Sequence, residues 1–163
     1  FFSDLGFALS TRSEMLNFTK GHPNILEPGK RPRTTIINYM ISKDGNPVYT
    51  VGCPGGDAQP QANLQLMLNI LLWNMNPQEA VEAPRFATLS MPNSFFPHRY
   101  LPSRLSVEKG IHSDVKRELS ELGHEIVEVA TCGMGATIAK RDSATGVLAA
   151  SADPRRACYA MGY

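Results

Sequence analysis

The strongest constraint on the fold is a β-hairpin signal at residues 34–53. Residues 34–42 (TTIINYMIS) and 47–53 (PVYTVGC) are rich in β-branched and apolar side chains, and the turn sequence KDGN separates them. An Asp-Gly pair between two such runs is typical of a two-residue turn with positive φ angles. We therefore predict an antiparallel hairpin with its tip at Asp44 and Gly45.

Two adjacent glycines, Gly55 and Gly56, follow this hairpin. Glycine destabilises regular structure, so a Gly-Gly pair at a junction indicates a special backbone requirement. The pair fits a tight turn between a strand and a helix, which is the more ordinary interpretation. It also fits an oxyanion hole, in which main-chain N–H groups donate to the charge that develops during acyl transfer. The residues alone leave both interpretations open.

Apolar spacing after the glycines predicts a helix over residues 59–74. Its apolar side chains recur at i, i+3, i+4, i+7 and i+8, so we expect this helix to be buried. The side chains that form the pattern are Leu64, Met67, Leu68, Leu71 and Leu72. A second, short helix should begin with Asn76 as the N-cap and Pro77 at the first helical position, and it should end before Pro84.

The remaining pattern completes an α+β fold. Residues 113–122 read as a surface helix with Ser113 as its cap, and residues 125–130 read as a strand. Residues 136–140 and 147–150 read as a second hairpin. Residues 5–9 read as a short strand, and the irregular stretch 88–102 is expected to be functional or to cover something. Helices packed on a mostly antiparallel sheet are the architecture that this order predicts.

Composition narrows the function classes. The net charge of +1 gives no case for nucleic acid or an anionic membrane as partner. The three cysteines form no C-x-x-C pair and the four histidines are scattered, so we expect neither a disulfide framework nor a metal site. The length fits a single domain over residues 1–163.

Two polar pairs are weaker site candidates. Hydroxyls such as those of Thr34 and Thr35, at a strand start, can bind a carboxylate or an intermediate, but threonine is also an ordinary strand residue. Glu14 can hold an ammonium group, and the side chain of Asn17 can both donate and accept hydrogen bonds. Such residues are also common on surface loops. The segment 153–156 (DPRR) favours a structural turn over an anion site.

Five stretches together resemble one family: PGKRPRTT, DGNPVYTVGCPGG, NMNPQEAVEAPRF, LGHEI and ADPRR with a terminal GY occur in this order. They are similar to the small catalytic subunit of γ-glutamyltransferases and the related acylases, over nearly the whole chain. The resemblance implies the N-terminal-nucleophile hydrolase fold, a four-layer αββα sandwich shared between two subunits. It also implies a precursor that cuts itself, a new N-terminal Thr as nucleophile and its α-amino group as base.

The resemblance also assigns roles to residues of this chain. Gly55 and Gly56 match the oxyanion-hole glycines. Thr34 and Thr35 match the paired serines that bind the α-carboxylate of the substrate. Glu14 and Asn17 match an acidic or amide residue and an Asp that contact its α-ammonium side. No cofactor and no metal are implied, and the expected partner is the large subunit from the same precursor.

This sequence departs from the family pattern in two respects. It begins with Phe1, after the expected nucleophile, so we read it as a piece of a longer polypeptide that should be inactive alone. The Arg that binds the α-carboxylate belongs to the large subunit. Asn17 replaces an Asp and loses its charge, and a charge-assisted hydrogen bond is roughly twice as strong as a neutral one.

These departures leave three functions open. The first is hydrolysis or transfer of a γ-glutamyl group, as in glutathione. The second is an acylase for glutaryl-type amides, or a biosynthetic homologue with another substrate, which Asn17 and the wording GGDAQPQ favour. The third is a non-catalytic subunit. The chain does not assign a compartment, whether periplasmic, secreted or cytoplasmic.

Overall fold

Two β-sheets organise the chain. The computed structural model describes residues 4, 6–8, 10–132 and 135–162. Its first sheet is antiparallel and has the strand order β1-β2-β6-β7. These strands are β1 (Asn38–Lys43), β2 (Asn46–Gly52), β6 (Thr137–Arg141) and β7 (Leu148–Ala152).

The second sheet is mixed and has the order β3-β4-β5. Strand β3 (Phe86–Thr88) is antiparallel to β4 (Arg104–Glu108), which is parallel to β5 (Glu125–Val129). Parallel neighbours need a crossover connection, and helix α3 (Ser113–Glu121) provides it. The α+β prediction is therefore confirmed, with one parallel pair as the exception to the antiparallel arrangement.

The predicted first hairpin is present, and its turn is at Asp44 (φ 52°) and Gly45 (φ 77°). Strand β1 begins later than the sequence predicts, because its first residue, Asn38, already pairs with Gly52 at the end of β2. After Gly52, the polypeptide leaves β2 and turns toward Gly55 and Gly56. Residues 34–37 consequently have no ladder partner among the described strands, and the Thr35 carbonyl accepts instead from the side chain of Gln59.

Helices α1 (Gln59–Leu71) and α2 (Pro77–Glu82) cover one face of the four-stranded sheet. Side chains of β2 and β6 meet α1 and α2 in the main core, which is formed by Val51, Cys53, Ala62, Leu66, Ile70, Ala80, Val81, Ala136 and Ile138. Within the described part of the chain, no helix has the length and apolar character that crossing a bilayer requires.

The predicted buried face of α1 is only partly correct, since Met67 packs against the core. The helix buries Ala62, Leu66 and Ile70, whereas the leucines at 64, 71 and 72 are more than half exposed. Polar Gln59 and Asn63 lie on the same buried face, and they interrupt the apolar periodicity that the prediction relied on.

The helix starts follow local capping rules. Asn76 caps α2 by accepting from the main-chain N–H groups of Gln78 and Glu79, and Glu79 reaches back to the N–H of Asn76. This reciprocal capping box confirms the predicted N-terminus. For α3 the cap is one residue earlier than predicted, since His112 Nδ1 accepts from the N–H of Asp114 over 3.2 Å.

Glutamine side chains on the helices occupy the outer edges of two strands. Gln61 accepts from the N–H of Thr88 (2.8 Å) and donates to its carbonyl (3.2 Å). Gln65 does the same to Phe86, over 3.0 and 2.9 Å. Gln78 on α2 makes the equivalent pair of contacts with Ala152 of β7. These amides take the place of a neighbouring strand, which the described part of the chain does not provide for β3 and β7 on that side.

Candidate active site

The double glycine forms the turn between β2 and α1. Gly55 has φ 146° and Gly56 has φ 56°, both in the region that favours glycine. One turn of 3-10 helix (Gly56–Ala58) then leads into α1, and the N–H of Ala58 donates to the Gly55 carbonyl over 3.1 Å. A Cβ atom on Gly56 would lie 2.9 Å from Cε2 of Phe95. The turn therefore needs a residue without a side chain.

The main-chain N–H groups of this turn are available as donors. Within the described ranges, the N–H groups of Gly55 and Gly56 have no hydrogen-bond acceptor. The peptide between them is trans, so the N–H of Gly56 points opposite to the Gly55 carbonyl that Ala58 holds. Both glycines line a cavity of about 530 Å³. Two unoccupied donors beside a cavity are what an oxyanion hole requires.

Thr35 lines the same cavity as the glycines, and Thr34 lines an adjoining one of about 650 Å³. The two cavities share Thr35, Gly55 and Gly56, so they meet at the turn. The Thr34 hydroxyl accepts from the N–H of Ile36 over 3.2 Å. The structure therefore brings the threonine pair and the glycine pair to one place.

Gln59 connects the threonine segment to the glycine turn. Its side chain is buried, and Nε2 donates to the Thr35 carbonyl over 2.6 Å and to the Gly56 carbonyl over 3.1 Å. The main-chain N–H of Gln59 also donates to the Gly56 carbonyl. Sequence reasoning missed this residue, because a glutamine at a helix start carries no signal for contact with a segment 24 positions earlier.

Glu14 and Asn17 are not part of either cavity lining. The exposed Glu14 contributes its main-chain carbonyl to the N–H of Phe96 over 3.0 Å. The Asn17 side-chain oxygen accepts from the N–H of Thr19 over 2.7 Å, which closes a local turn. The two predicted substrate contacts therefore do not line the cavities that the glycines and threonines share, although Glu14 is bonded to the neighbour of the cavity residue Phe95.

Arg12 is a cavity residue that sequence reasoning missed. It is the one charged side chain among the described residues that line the cavity of about 530 Å³. Its guanidinium carbon lies 6.0 Å from the centre of the Phe95 ring, a cation–π distance, and it has no ion pair with a described residue. The available signal was its position two residues before Glu14, which the family resemblance assigns to the substrate site.

The irregular stretch 88–102 covers the turn, as its length suggested. Phe95 packs against Gly56, and the neighbouring Ser94 anchors the stretch through its N–H and hydroxyl, which both donate to the Asp57 carboxylate over 2.5 Å. Asp57 directly follows the glycines, so the covering segment is fixed to the turn itself.

The cysteines near the cavity are held as thiols. Burial raises the pKa of Cys53, which lines the cavity. Burial, with a further contribution from the Glu108 carboxylate, raises the pKa of Cys132 to about 11. Because the thiolate is the nucleophilic form, neither side chain is suited to attack a substrate at neutral pH. No group of three or more His, Cys, Asp or Glu side chains that could hold a metal occurs among the described residues.

A buried ionic network stabilises the part of the chain next to the cavity. Arg85 and Asp153 form an ion pair without exposed surface, and Asp153 also accepts from the N–H of Ala136 over 3.2 Å. Arg155 donates to Asp153, to Glu108 and to carbonyls at the end of α2. Residues 153–156 therefore form the structural turn that the sequence favoured.

Comparison with known proteins places this arrangement in a family. The family model "Gamma-glutamyltranspeptidase" matches residues 2–163. The glutathione hydrolase-like YwrD proenzyme of Bacillus subtilis is 30% identical over 161 residues, which are 98% of this chain and 30% of that protein. The chain spans only 14% and 30% of the length of the first two curated relatives.

Two solved structures show the same fold. A mutant of Helicobacter pylori gamma-glutamyltranspeptidase aligns with a TM-score of 0.75 and 29% identity, over 93% of this chain and 82% of that chain. The cephalosporin acylase from Bacillus halodurans aligns with a TM-score of 0.74 and 32% identity, over 86% of this chain and 24% of that one. The expectation of an N-terminal-nucleophile hydrolase fold is confirmed, and the chain belongs to the gamma-glutamyltranspeptidase family.

Proposed function

We propose that this chain, residues 1–163, is the C-terminal part of the catalytic subunit of an amide hydrolase or acyltransferase. The observation that carries the proposal is the pair of N–H donors at Gly55 and Gly56, which have no acceptor among the described residues and lie beside a cavity that Thr35 also lines. Such donors stabilise the oxyanion of a tetrahedral intermediate, and removing one typically lowers kcat by about 10²–10³-fold.

The nucleophile would come from outside this chain. As in the family, a precursor cuts itself, and the hydroxyl of the new N-terminal Thr attacks the substrate carbonyl while its α-amino group takes the proton. The C–N bond breaks, the amine leaves with that proton, and water then hydrolyses the ester. The residues of this chain hold the oxyanion through Gly55 and Gly56 and the acyl end through Thr34 and Thr35. The large subunit is the obligatory partner in this proposal.

The primary substrate in this proposal is a γ-glutamyl amide such as glutathione. Names of relatives such as glutathione hydrolase support this class. Glu14 and Asn17 would then contact the α-ammonium side of the substrate, as the family resemblance suggests.

A second candidate is an acylase for amides of dicarboxylic acids that lack the α-ammonium group. Arg12 favours it, because a guanidinium in the cavity suits a carboxylate and repels an ammonium group. Asn17, with no charge where the family carries an Asp, points in the same direction. The similarity to a cephalosporin acylase is consistent with this candidate.

The test uses the complete polypeptide that contains this chain. Release of p-nitroaniline from γ-glutamyl and glutaryl anilides, which differ only in the α-ammonium group, should be measured beside a gel that reports self-cleavage. We expect two bands and turnover of at least one anilide. Faster γ-glutamyl turnover supports the first candidate, and equal or faster glutaryl turnover supports the second. An uncut precursor without turnover of either would contradict both and leave a non-catalytic subunit.

A further inference from the structure

The Gln59 side chain uses its whole donor capacity on two main-chain carbonyls. A glutamine amide has two N–H bonds, and Nε2 of Gln59 directs them to Thr35 (2.6 Å) and Gly56 (3.1 Å). The side chain is only 5% exposed, so these contacts are shielded from water. One planar group therefore joins the threonine segment to the glycine turn.

Neither of the two joined segments is held by a sheet ladder. Thr35 precedes β1, which begins at Asn38, and Gly56 follows β2, which ends at Gly52. The strand pairing that fixes the hairpin thus stops before it reaches either residue. Among the described residues, the side chain of Gln59 links the main chains of these two segments.

Gly56 depends on this contact more than another residue would. Glycine lacks the Cβ atom that restricts φ and ψ, so its neighbouring peptide planes rotate easily. Ala58 holds the plane on the Gly55 side, through the Gly55 carbonyl. Gln59 holds the plane on the other side, through the Gly56 carbonyl, with both its side chain and its main-chain N–H. The Gly56 N–H belongs to the plane that Ala58 holds, and Gln59 fixes the neighbouring plane, so rotation about the Gly56 backbone is restricted from both sides.

We propose that Gln59 is a positioning residue, which aims the Gly56 N–H at the oxyanion and sets its spacing from Thr35. This inference rests on the proposed function, since it assigns to Gln59 the geometry of the same oxyanion hole. A displacement of about 1 Å in such a site can cost about 10²-fold in rate. Gln59 is expected to act on kcat, because the oxyanion forms only after the substrate has bound.

The same helix offers a matched control. Gln65 also uses its side-chain amide on main-chain groups, those of Phe86 at the edge of β3 and the carbonyl of Gln61 one turn earlier in α1. Neither Gln65 nor Phe86 lines either cavity. Gln59→Met and Gln65→Met each remove such contacts with little change in volume. If Gln59 only stabilises the fold, the two variants should have similar kcat values at a comparable Tm.

The experiment measures kcat, KM and Tm of the self-cleaved complete enzyme with the anilide it turns over. We expect Gln59→Met to lower kcat by about tenfold to a hundredfold with KM changed by less than about threefold. Gln65→Met should keep kcat at a comparable Tm. Equal kcat values for the two variants, or a change confined to KM, would overturn the inference.

A second variant keeps the test decisive if Gln59→Met fails to self-cleave. Glu in place of Gln59 sets a carboxylate against the two carbonyl oxygens at high pH, but its protonated form regains one donor. We expect Gln59→Glu to gain activity relative to wild type as the pH falls, and a parallel pH profile would contradict the assignment. An inactive wild-type enzyme would refute the proposed function itself, whereas an active one with an unaffected Gln59→Met variant would refute only the role of Gln59.

Discussion

Arg85 and Asp153 form an ion pair in which neither side chain has exposed surface. The pair joins the residue before β3 to the residue after β7, and so it connects the two sheets. Two buried charges are costly to desolvate, and this pair persists because the Asp153 carboxylate also accepts from the N–H groups of Ala136 and Arg155. The packing of the two sheets next to the cavity therefore requires that both charges stay paired.

Replacing Asp153 with Asn should destabilise the protein strongly. An amide leaves the Arg85 charge buried without a counter-ion, and breaking such a pair typically costs about 3–5 kcal/mol. Urea unfolding of the variant should show this loss in the free energy of unfolding. Asp114→Asn is the control, because the contact of Asp114 with Arg117 (2.7 Å) is exposed and should contribute little. Similar losses in both variants would contradict the prediction.

The same carboxylate predicts a pH dependence. Burial acts to raise the pKa of Asp153, but hydrogen bonds from Arg155, Arg85 and Ala136 outweigh it, and the pKa is lowered. A lowered folded-state pKa means that the stabilisation is complete above the unfolded-state value of about 3.9 and is lost as the pH falls through the folded-state value. Urea unfolding from pH 7 to pH 3 should therefore lose stability more steeply for wild type than for Asp153→Asn. Parallel curves would refute this account.

Gly56→Ala should abolish most of the activity. The new Cβ atom would lie 2.9 Å from Phe95, at a φ of +56° that alanine rarely adopts. Both effects displace the N–H donor, and we expect kcat to fall by about 10²-fold or more. Gly45→Ala has similar φ strain (+77°) but no atom within 4 Å, at the hairpin tip. Its activity should persist, and equal kcat losses would argue against an oxyanion hole at Gly56.

Arg12→Met should discriminate between acyl groups. If Arg12 binds a carboxylate, kcat/KM for the glutaryl anilide should fall about tenfold or more, since a hydrogen bond to a charged group contributes about 1.5–3 kcal/mol. The valeryl anilide, which has the same chain length without the carboxylate, should be unaffected. Arg31→Met, at an exposed position outside both cavity linings, serves as the control. A uniform loss with both anilides would remove Arg12 from substrate recognition.

Local signals predicted the elements well. The Asp44-Gly45 turn and the Asn76 capping box depend on residues within four positions of each other, so their sequence patterns are sufficient. The buried face of α1 was misassigned because small Ala62 and polar Asn63 replace the leucines that periodicity would put there. Packing against a distant sheet, and not the pattern of the helix itself, decides which face is covered.

The candidate site was also predictable only in part, because some of its contacts are local and others join distant segments. The glycine pair and Thr35 do line one cavity, as the family resemblance implied. Arg12 and Gln59 were missed, because their contacts with Phe95 and Thr35 join segments that are far apart in sequence. Glu14 and Asn17 do not line the cavity in this chain. Their assignment as substrate contacts remains a prediction for the complete enzyme.

The glutamine contacts at the sheet edges have a consequence for aggregation. A strand with free N–H and C=O groups on its outer side is a template onto which another polypeptide can add as a further strand. At Thr88, Phe86 and Ala152 these groups are already occupied by side-chain amides from helices of the same chain. Once α1 and α2 have packed on the sheets, another copy of the protein therefore cannot add a strand at these positions.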